Sequence, residues 1–162
     1  MAFQKKISFE VTLYDSLSEL NEDDNVLMSA AVSARKRAYA PYSNFFVGAS
    51  VLLENNEIIE GNNQENASYP SGLCAERVAI FYAGAKFPGV QIKAMAISAA
   101  ALNHEVCEPA APCGNCRQAI SEYEFKQAKP IRILLMGETG GVIECDSVAD
   151  LLPLGFNSSY LE

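Results

Sequence analysis

The first apolar pattern along the chain has a period of two. Ile7, Phe9, Val11 and Leu13 alternate with Ser8, Glu10 and Thr12, the pattern of a half-buried strand. After Asn21, which can cap a helix with Asp23 and Asp24 in its first turn, the period lengthens: Leu27, Ala31, Ala34 and Ala38 recur at helical spacing until Pro41 stops the run. The basic run Arg35-Lys36-Arg37 near the end of this helix is expected on a solvated face. Residues 46–53 and 57–62 then read as two strands joined at Asn55-Asn56, residues that tolerate the positive φ of a tight hairpin.

A loop at Tyr69-Pro70-Ser71-Gly72 leads into a segment that is apolar nearly all round (Ala75, Val78, Ala79, Ile80, Phe81, Tyr82), which predicts a buried helix ending by Gly84 and Pro88. Residues 92–99 carry no polar face beyond Lys93 and Ser98 and predict a strand covered on both sides. An irregular loop over residues 100–111 precedes a second helix from Pro112. Two further strands follow at 131–136 and 142–145, the second after a Gly140-Gly141 turn, and Ser147-Val148-Ala149-Asp150 forms a capping box that opens a last helix. Strands alternating with helices predict a layered α/β fold with crossover connections.

Composition narrows what such a fold can bind. At 162 residues and 49% hydrophobic, the chain is long enough for one domain with a substantial core. A net charge of −8 leaves no basic surface for a phosphate backbone, which argues against nucleic acid polymers and favours a small uncharged ligand. Five cysteines, odd in number and unevenly spaced, make a poor disulfide framework. The N-terminus continues into alternation rather than an apolar run, and no segment approaches the roughly 20 apolar residues of a membrane span, so a cytoplasmic protein is expected.

The candidate chemistry lies in two clusters, Cys74-Ala75-Glu76-Arg77 and Pro112-Cys113-Gly114-Asn115-Cys116-Arg117. Each opens a predicted helix, with Ser71 expected to cap the first and Pro112 expected in the first turn of the second. The partial positive charge of a helix N-terminus favours thiolate, the form that binds metal. Cys113 and Cys116 share one face of a helical turn, and Cys74 supplies a third corner of a zinc tetrahedron. Three protein ligands leave the fourth position to water, as in catalytic zinc sites, and Glu76 is placed to handle that water's protons. Arg77 and Arg117 are candidates to hydrogen-bond the sulfurs and offset their charge. Two plainer readings stand beside this one: a redox pair at Cys113 and Cys116, or a closed structural site with Cys107 as fourth ligand. Cys107 and Cys145 otherwise read as small core or loop residues, and His104 as an exposed loop residue.

These clusters, together with residues 41–49 (PYSNFFVGA), 61–69 (GNNQENASY) and 151–156 (LLPLGF), resemble the zinc-dependent cytidine deaminase family in its small, homotetrameric, three-cysteine branch. The resemblance runs from about residue 26 to residue 158, leaving residues 1–25 as an N-terminal extension with a possible extra strand. It implies a three-layer α/β/α fold around a mixed sheet of about five strands, and one Zn²⁺ per subunit held by Cys74, Cys113 and Cys116. It further implies hydrolysis of cytidine and 2′-deoxycytidine to uridine and 2′-deoxyuridine with release of ammonia, in nucleoside salvage, with Glu76 as the proton shuttle. Substrate contacts are implied for Asn63 and Glu65 at the ribose hydroxyls, for Phe45 as an aromatic floor, and for Ala75. Tyr69 and Phe156 match positions that reach into a neighbouring subunit's pocket, so the active sites of the tetramer are expected to be shared.

Overall fold

The structure, a computed structural model, describes residues 1–161. Its centre is one six-stranded sheet, built from β1 (Thr12–Tyr14), β2 (Phe45–Leu53), β3 (Ile58–Asn62), β4 (Ile92–Ala101), β5 (Arg132–Met136) and β6 (Val142–Cys145). The spatial order is β1-β6-β5-β4-β2-β3; β4 and β5 run parallel and every other neighbouring pair is antiparallel. The mixed α/β sheet is as predicted, with six strands rather than five because β1 adds to the edge of β6.

Strand alternation sends each residue of the central strands to one of two cores. Ala94, Ala96, Leu134 and Met136 pack with Leu27, Met28 and Ala31 of α1 (Glu22–Arg35). Their neighbours Met95, Ile97, Ile133 and Leu135 pack on the opposite face, against α2 (Ala75–Lys86), α3 (Gly114–Gln127) and the short α4 (Val148–Leu151). This is the three-layer arrangement, and it explains why 92–99 has no polar face: both sides are covered.

Helix α1 begins at the expected cap, Asn21 accepting from the Asp24 N–H at 2.9 Å. It ends at Arg35, several residues short of Pro41, and Arg35 corrects the expectation of a solvated basic face. Only 8% exposed, its Nη1 donates to Ser98 Oγ (2.8 Å), Ala99 O (3.2 Å) and Gly137 O (3.3 Å). Burial draws this guanidinium below its ordinary range. Arg35 therefore fastens α1 to the ends of β4 and β5, from which the loops of the site depart.

The edge strand is shorter than its pattern. Only Thr12–Tyr14 pairs, with Val142–Glu144, because β6 ends at Cys145 and offers no backbone to residues 7–11. Tyr14 Oη donates to Glu144 Oε2 at 2.7 Å, and Arg132 joins Glu144 to the buried Asp24, so β1 is tied to α1 through one charged network. The helix α2 is buried on the face of Ala75, Ala79 and Ile80, while Phe81 and Tyr82 are exposed, so it is not buried all round as its composition predicts.

Helix-to-sheet distance is set by two glycines. A Cβ on Gly48 of β2 would sit 2.0 Å from Ala31 O and 2.3 Å from Arg35 N, and one on Gly61 of β3 would sit 2.5 Å from Ala75 O. These contacts are to backbone and cannot be relieved by a rotamer change. Gly48→Ala is expected to cost about 3 kcal/mol or more, the upper range of overpacking, measured by urea unfolding of the purified variant.

Candidate active site

The first residues of α2 and α3 come together on one side of the sheet. Cys74 and Cys113 are themselves the N-cap residues, in extended backbone conformation, and neither thiol caps its helix. Ser71, expected to cap α2, instead lies in a single helical turn at Tyr69–Ser71, and Pro112 precedes the α3 cap rather than lying in its first turn. The sulfurs are thus left free to face one another: Cys74 and Cys113 Sγ are 3.9 Å apart, and Cys113 and Cys116 Sγ 3.5 Å.

A zinc ion with four ligands at about 2.3 Å has ligand–ligand edges near 3.8 Å. All three sulfurs lie within 4.8 Å of one another, close to the edges a tetrahedral ion requires, and this is the one such group among the described residues. Cys107 is exposed in its loop and does not join it, and Cys145 is buried in the core under α4. With no fourth thiol, the closed structural reading lacks its ligand. Cys74, which caps another helix, faces the Cys113–Cys116 pair as a third sulfur, a neighbour that an isolated redox pair does not need.

Electrostatics at the cluster are shaped by hydrogen bonding and burial together. The hydrogen bond with Cys116, helped by Arg77, brings the Cys74 thiol down to about 5, while the same bond pushes Cys116 up. One thiolate is therefore formed readily, and Cys116 holds its proton. Arg77, at i+3 from Cys74 and so on its side of α2, donates Nη2 to Cys74 Sγ at 3.9 Å. Its Nε is buried and finds no partner. Arg117 does not go to sulfur. Its Nε donates to Pro112 O and its Nη1 to Leu151 O, both at 2.7 Å, the second satisfying an orphan carbonyl at the end of α4.

Glu76, at the second position of α2, is 4% exposed and lines the cavity beside the cluster. Burial raises its carboxyl above the ordinary range, with the Cys74 charge adding to the effect. A carboxyl of that kind holds a proton at higher pH than usual and releases it to a base placed nearby.

The cavity holds about 580 Å³ and its wall includes Phe45, Asn63, Glu65, Tyr69, Cys74 and Cys113. Phe46, on the other face of β2, is outside it. Sequence patterning missed Val47, Ile97 and Leu73, which complete the apolar wall; Val47 and Ile97 follow from the strand parity that places Phe45 there, whereas Leu73 comes from the segment before α2. Asn63 crosslinks the wall: its Oδ1 accepts from Val47 N–H at 2.8 Å and its Nδ2 donates to Phe45 O at 2.9 Å. One N–H and one lone pair of the amide remain for a ligand. Glu65 accepts from Tyr42 N–H (2.8 Å), Ser43 N–H (3.3 Å) and Ser43 Oγ, and these bonds, Ser43's hydroxyl first, hold its carboxyl below the usual range.

Ala75 is fully buried and outside the cavity wall. Tyr69, 75% exposed, stands at the rim 6.0 Å from the Tyr42 ring. Phe156 is 55% exposed, stacks on Tyr160 at 5.6 Å and lies outside the wall of its own chain's cavity.

Fold and site together define a class: a three-layer α/β domain with three converging cysteine sulfurs able to hold a metal ion and a buried carboxyl beside them. Residues 21–129 match the cytidine and deoxycytidylate deaminase zinc-binding region. The chain belongs to that deaminase family and is accordingly an enzyme. It is 37% identical to a cytidine deaminase of Halalkalibacterium halodurans over 84% of this chain and 96% of that protein. It is 39% identical to one of Sporosarcina psychrophila over 86% and 95% respectively. The crystal structure of cytidine deaminase from Burkholderia pseudomallei superposes with a TM-score of 0.70 at 40% identity, covering 81% of this chain and 97% of that one.

The buried Glu76 makes a pH prediction for protein stripped of metal by chelation. Below the unfolded glutamate value near 4.3 both states are protonated and the residue is neutral in its effect. As pH rises above that value, the folded state resists ionisation and loses stability relative to a non-titrating side chain. Glu76→Gln is therefore expected to gain thermal stability over the parent progressively between pH 4 and pH 7, read as the difference in Tm across the series.

Proposed function

We propose that this chain hydrolyses cytidine and 2′-deoxycytidine to the corresponding uridines with release of ammonia, in pyrimidine nucleoside salvage in the cytoplasm. The observation that carries the reading is the buried carboxyl of Glu76 beside three converging sulfurs, at the floor of a cavity whose other wall carries a fixed carboxylate and a fixed amide. The similar proteins named above support the substrate. The cavity wall has two carboxylates, Glu65 and Glu76, and no Lys or Arg, which favours an uncharged nucleoside over a nucleotide. Among the described residues no helix is long and apolar enough to cross a membrane.

Cys74, Cys113 and Cys116 would hold the zinc. Bound zinc supplies Lewis acidity that lets water act as a nucleophile near neutral pH. Glu76 would accept the water's proton and give it to ring N3 as C4 is attacked, then take the proton of the new C4 hydroxyl and pass it to the departing amine, which leaves as ammonia. Its raised pKa suits both directions of transfer. Arg77 and the two helix N-termini offset the charge of the thiolates, the N–H groups of both first turns being free of side-chain caps. Glu65 and the free valences of Asn63 orient the ribose hydroxyls, with Phe45 beneath the ring system. Ala75, at the first position of α2, meets the substrate through its backbone. The enzyme works as a homotetramer. Tyr69 and Phe156, both exposed and Phe156 outside its own cavity, contribute to a neighbour's site.

The test is ammonia release from cytidine and deoxycytidine by purified protein, with zinc measured on the same sample. About one zinc per chain is expected with turnover of both nucleosides. Glu76→Ala is expected to keep its zinc and lose roughly 10²–10⁴ in kcat, the usual worth of general acid–base catalysis. Retention of full activity would overturn the mechanism.

Shared sites make a second prediction. Phe156→Ala is expected to raise KM and lower turnover, and mixing it with inactive Glu76→Ala protein should restore part of the activity, because some mixed sites receive both intact groups. An unchanged rate after subunit exchange would place Phe156 in its own chain's site.

A further inference from the structure

The N-terminal segment carries an alternating apolar pattern that the fold leaves uncovered. Phe3, Ile7, Phe9, Val11 and Leu13 are all exposed, from 40% at Val11 to 89% at Phe3. The segment precedes residue 21, where the family match begins, and it touches no part of the site described above. Its period of two is a strand's, and strands are stabilised by a partner backbone and by burial of one face. Within the chain β6 supplies backbone to Thr12–Tyr14 alone, and on one side of β1 only. The other edge of β1 is the open end of the sheet, and residues 3–11 extend from it with no ladder partner.

We propose that residues 3–13 pair antiparallel with the same residues of a second copy of this chain, joining two sheets edge to edge across a two-fold axis at Ser8. Such an interface is isologous and must be self-complementary, and in an antiparallel pair directly opposed residues lie on the same face. Registers that keep the odd-numbered apolar residues together are therefore those centred on a single residue. Centring on Glu10 sets two carboxylates face to face. Centring on Ile7 or Phe9 leaves Lys6 and Glu10 opposite uncharged residues. Centring on Ser8 sets Lys6 opposite Glu10, Ile7 opposite Phe9, Phe3 opposite Leu13, Gln4 opposite Thr12 and Lys5 opposite Val11, each pair occurring twice. Opposite charges across strands are favourable and like charges are not.

Leu13 fixes which face the apolar row occupies. It lies opposite Ile143 in the ladder, and Ile143 packs against the core shared by α2, α3 and α4. The row Ile7, Phe9, Val11, Leu13 therefore continues that core face of the sheet past its own edge, beyond the four-residue α4. A second copy brings an identical row alongside. Edge strands left open are sites of uncontrolled pairing, and closing this edge with its own image removes the template.

The experiment reads mass and register separately, on the full chain. Resting on the tetramer proposed above, light scattering after size exclusion is expected to give the parent the mass of two paired tetramers and Phe9→Glu that of one, with ammonia release per chain unchanged between them. Lys6→Glu is expected to halve the mass and Lys6→Glu/Glu10→Lys to restore it. For register, Ser8→Cys in a Cys107→Ser background is expected to form a disulfide-linked pair under mild oxidation, since directly opposed residues bring Cα atoms within disulfide range. Glu10→Cys in the same background is expected to form none, its two copies being displaced along the strands by about 13 Å. Equal mass for parent and Phe9→Glu would overturn the pairing. Crosslinking through position 10 rather than 8 would overturn the register, and a broad concentration-dependent mass that the double charge exchange fails to restore would show unspecific apolar clumping instead.

Discussion

Everything at the site depends on two helix N-termini being held within one sulfur–sulfur contact of each other. Neither helix could be brought there by its own cap, because the cap positions are occupied by Cys74 and Cys113, whose thiols face each other instead of the first-turn N–H groups. The positioning comes from below. Gly61 lets α2 lie directly on β3, and Gly48 lets the end of α1 lie directly on β2. From α1, Arg35 then holds Ala99 O and Gly137 O, at the strand ends nearest the site. Uncapped helix ends cost stability, and here the unpaired N–H groups are the source of the positive potential that the thiolates need.

The same arrangement sets the protonation of Glu76. Its carboxyl is taken out of water by the sheet beneath α2 and sits next to a sulfur that ionises early. Burial and the neighbouring charge push in one direction, toward the protonated form. Glu65, on the opposite wall, is pulled the other way by the Ser43 hydroxyl and the N–H groups of Tyr42 and Ser43, and stays ionised. Two carboxyls of one cavity are thus shifted in opposite directions by what surrounds them.

Much of this was legible in the sequence. The two cysteine clusters, the alternating strands and the Ser147 capping box each follow from local rules that tertiary structure did not override. What was not legible depended on contacts between distant segments. In Arg35-Lys36-Arg37 successive side chains point about 100° apart around the helix, so one of the three could turn inward. That it is Arg35 follows from its place on the side of Ala31 and Ala34, above acceptors on β4 and after β5. Arg117 was drawn from sulfur by the unpaired carbonyl of Leu151, which only the docking of α4 brings near. The N-terminal alternation predicts a strand from Ile7, yet only Thr12–Tyr14 forms one, since a strand needs a paired backbone as well as an alternating pattern.

The contacts of α3 reach further than its two cysteines. Besides Cys113 and Cys116, this helix holds Leu151 O through Arg117 and Phe156 O through Gln118 Nε2, at 2.7 and 2.9 Å. The C-terminal tail is therefore suspended from the element that carries two of the three clustered sulfurs. A shift of α3 along its axis would move sulfur and tail together, as a lever moves both its ends. The reach of the tail is consequently a readout of how the thiolate helix is seated.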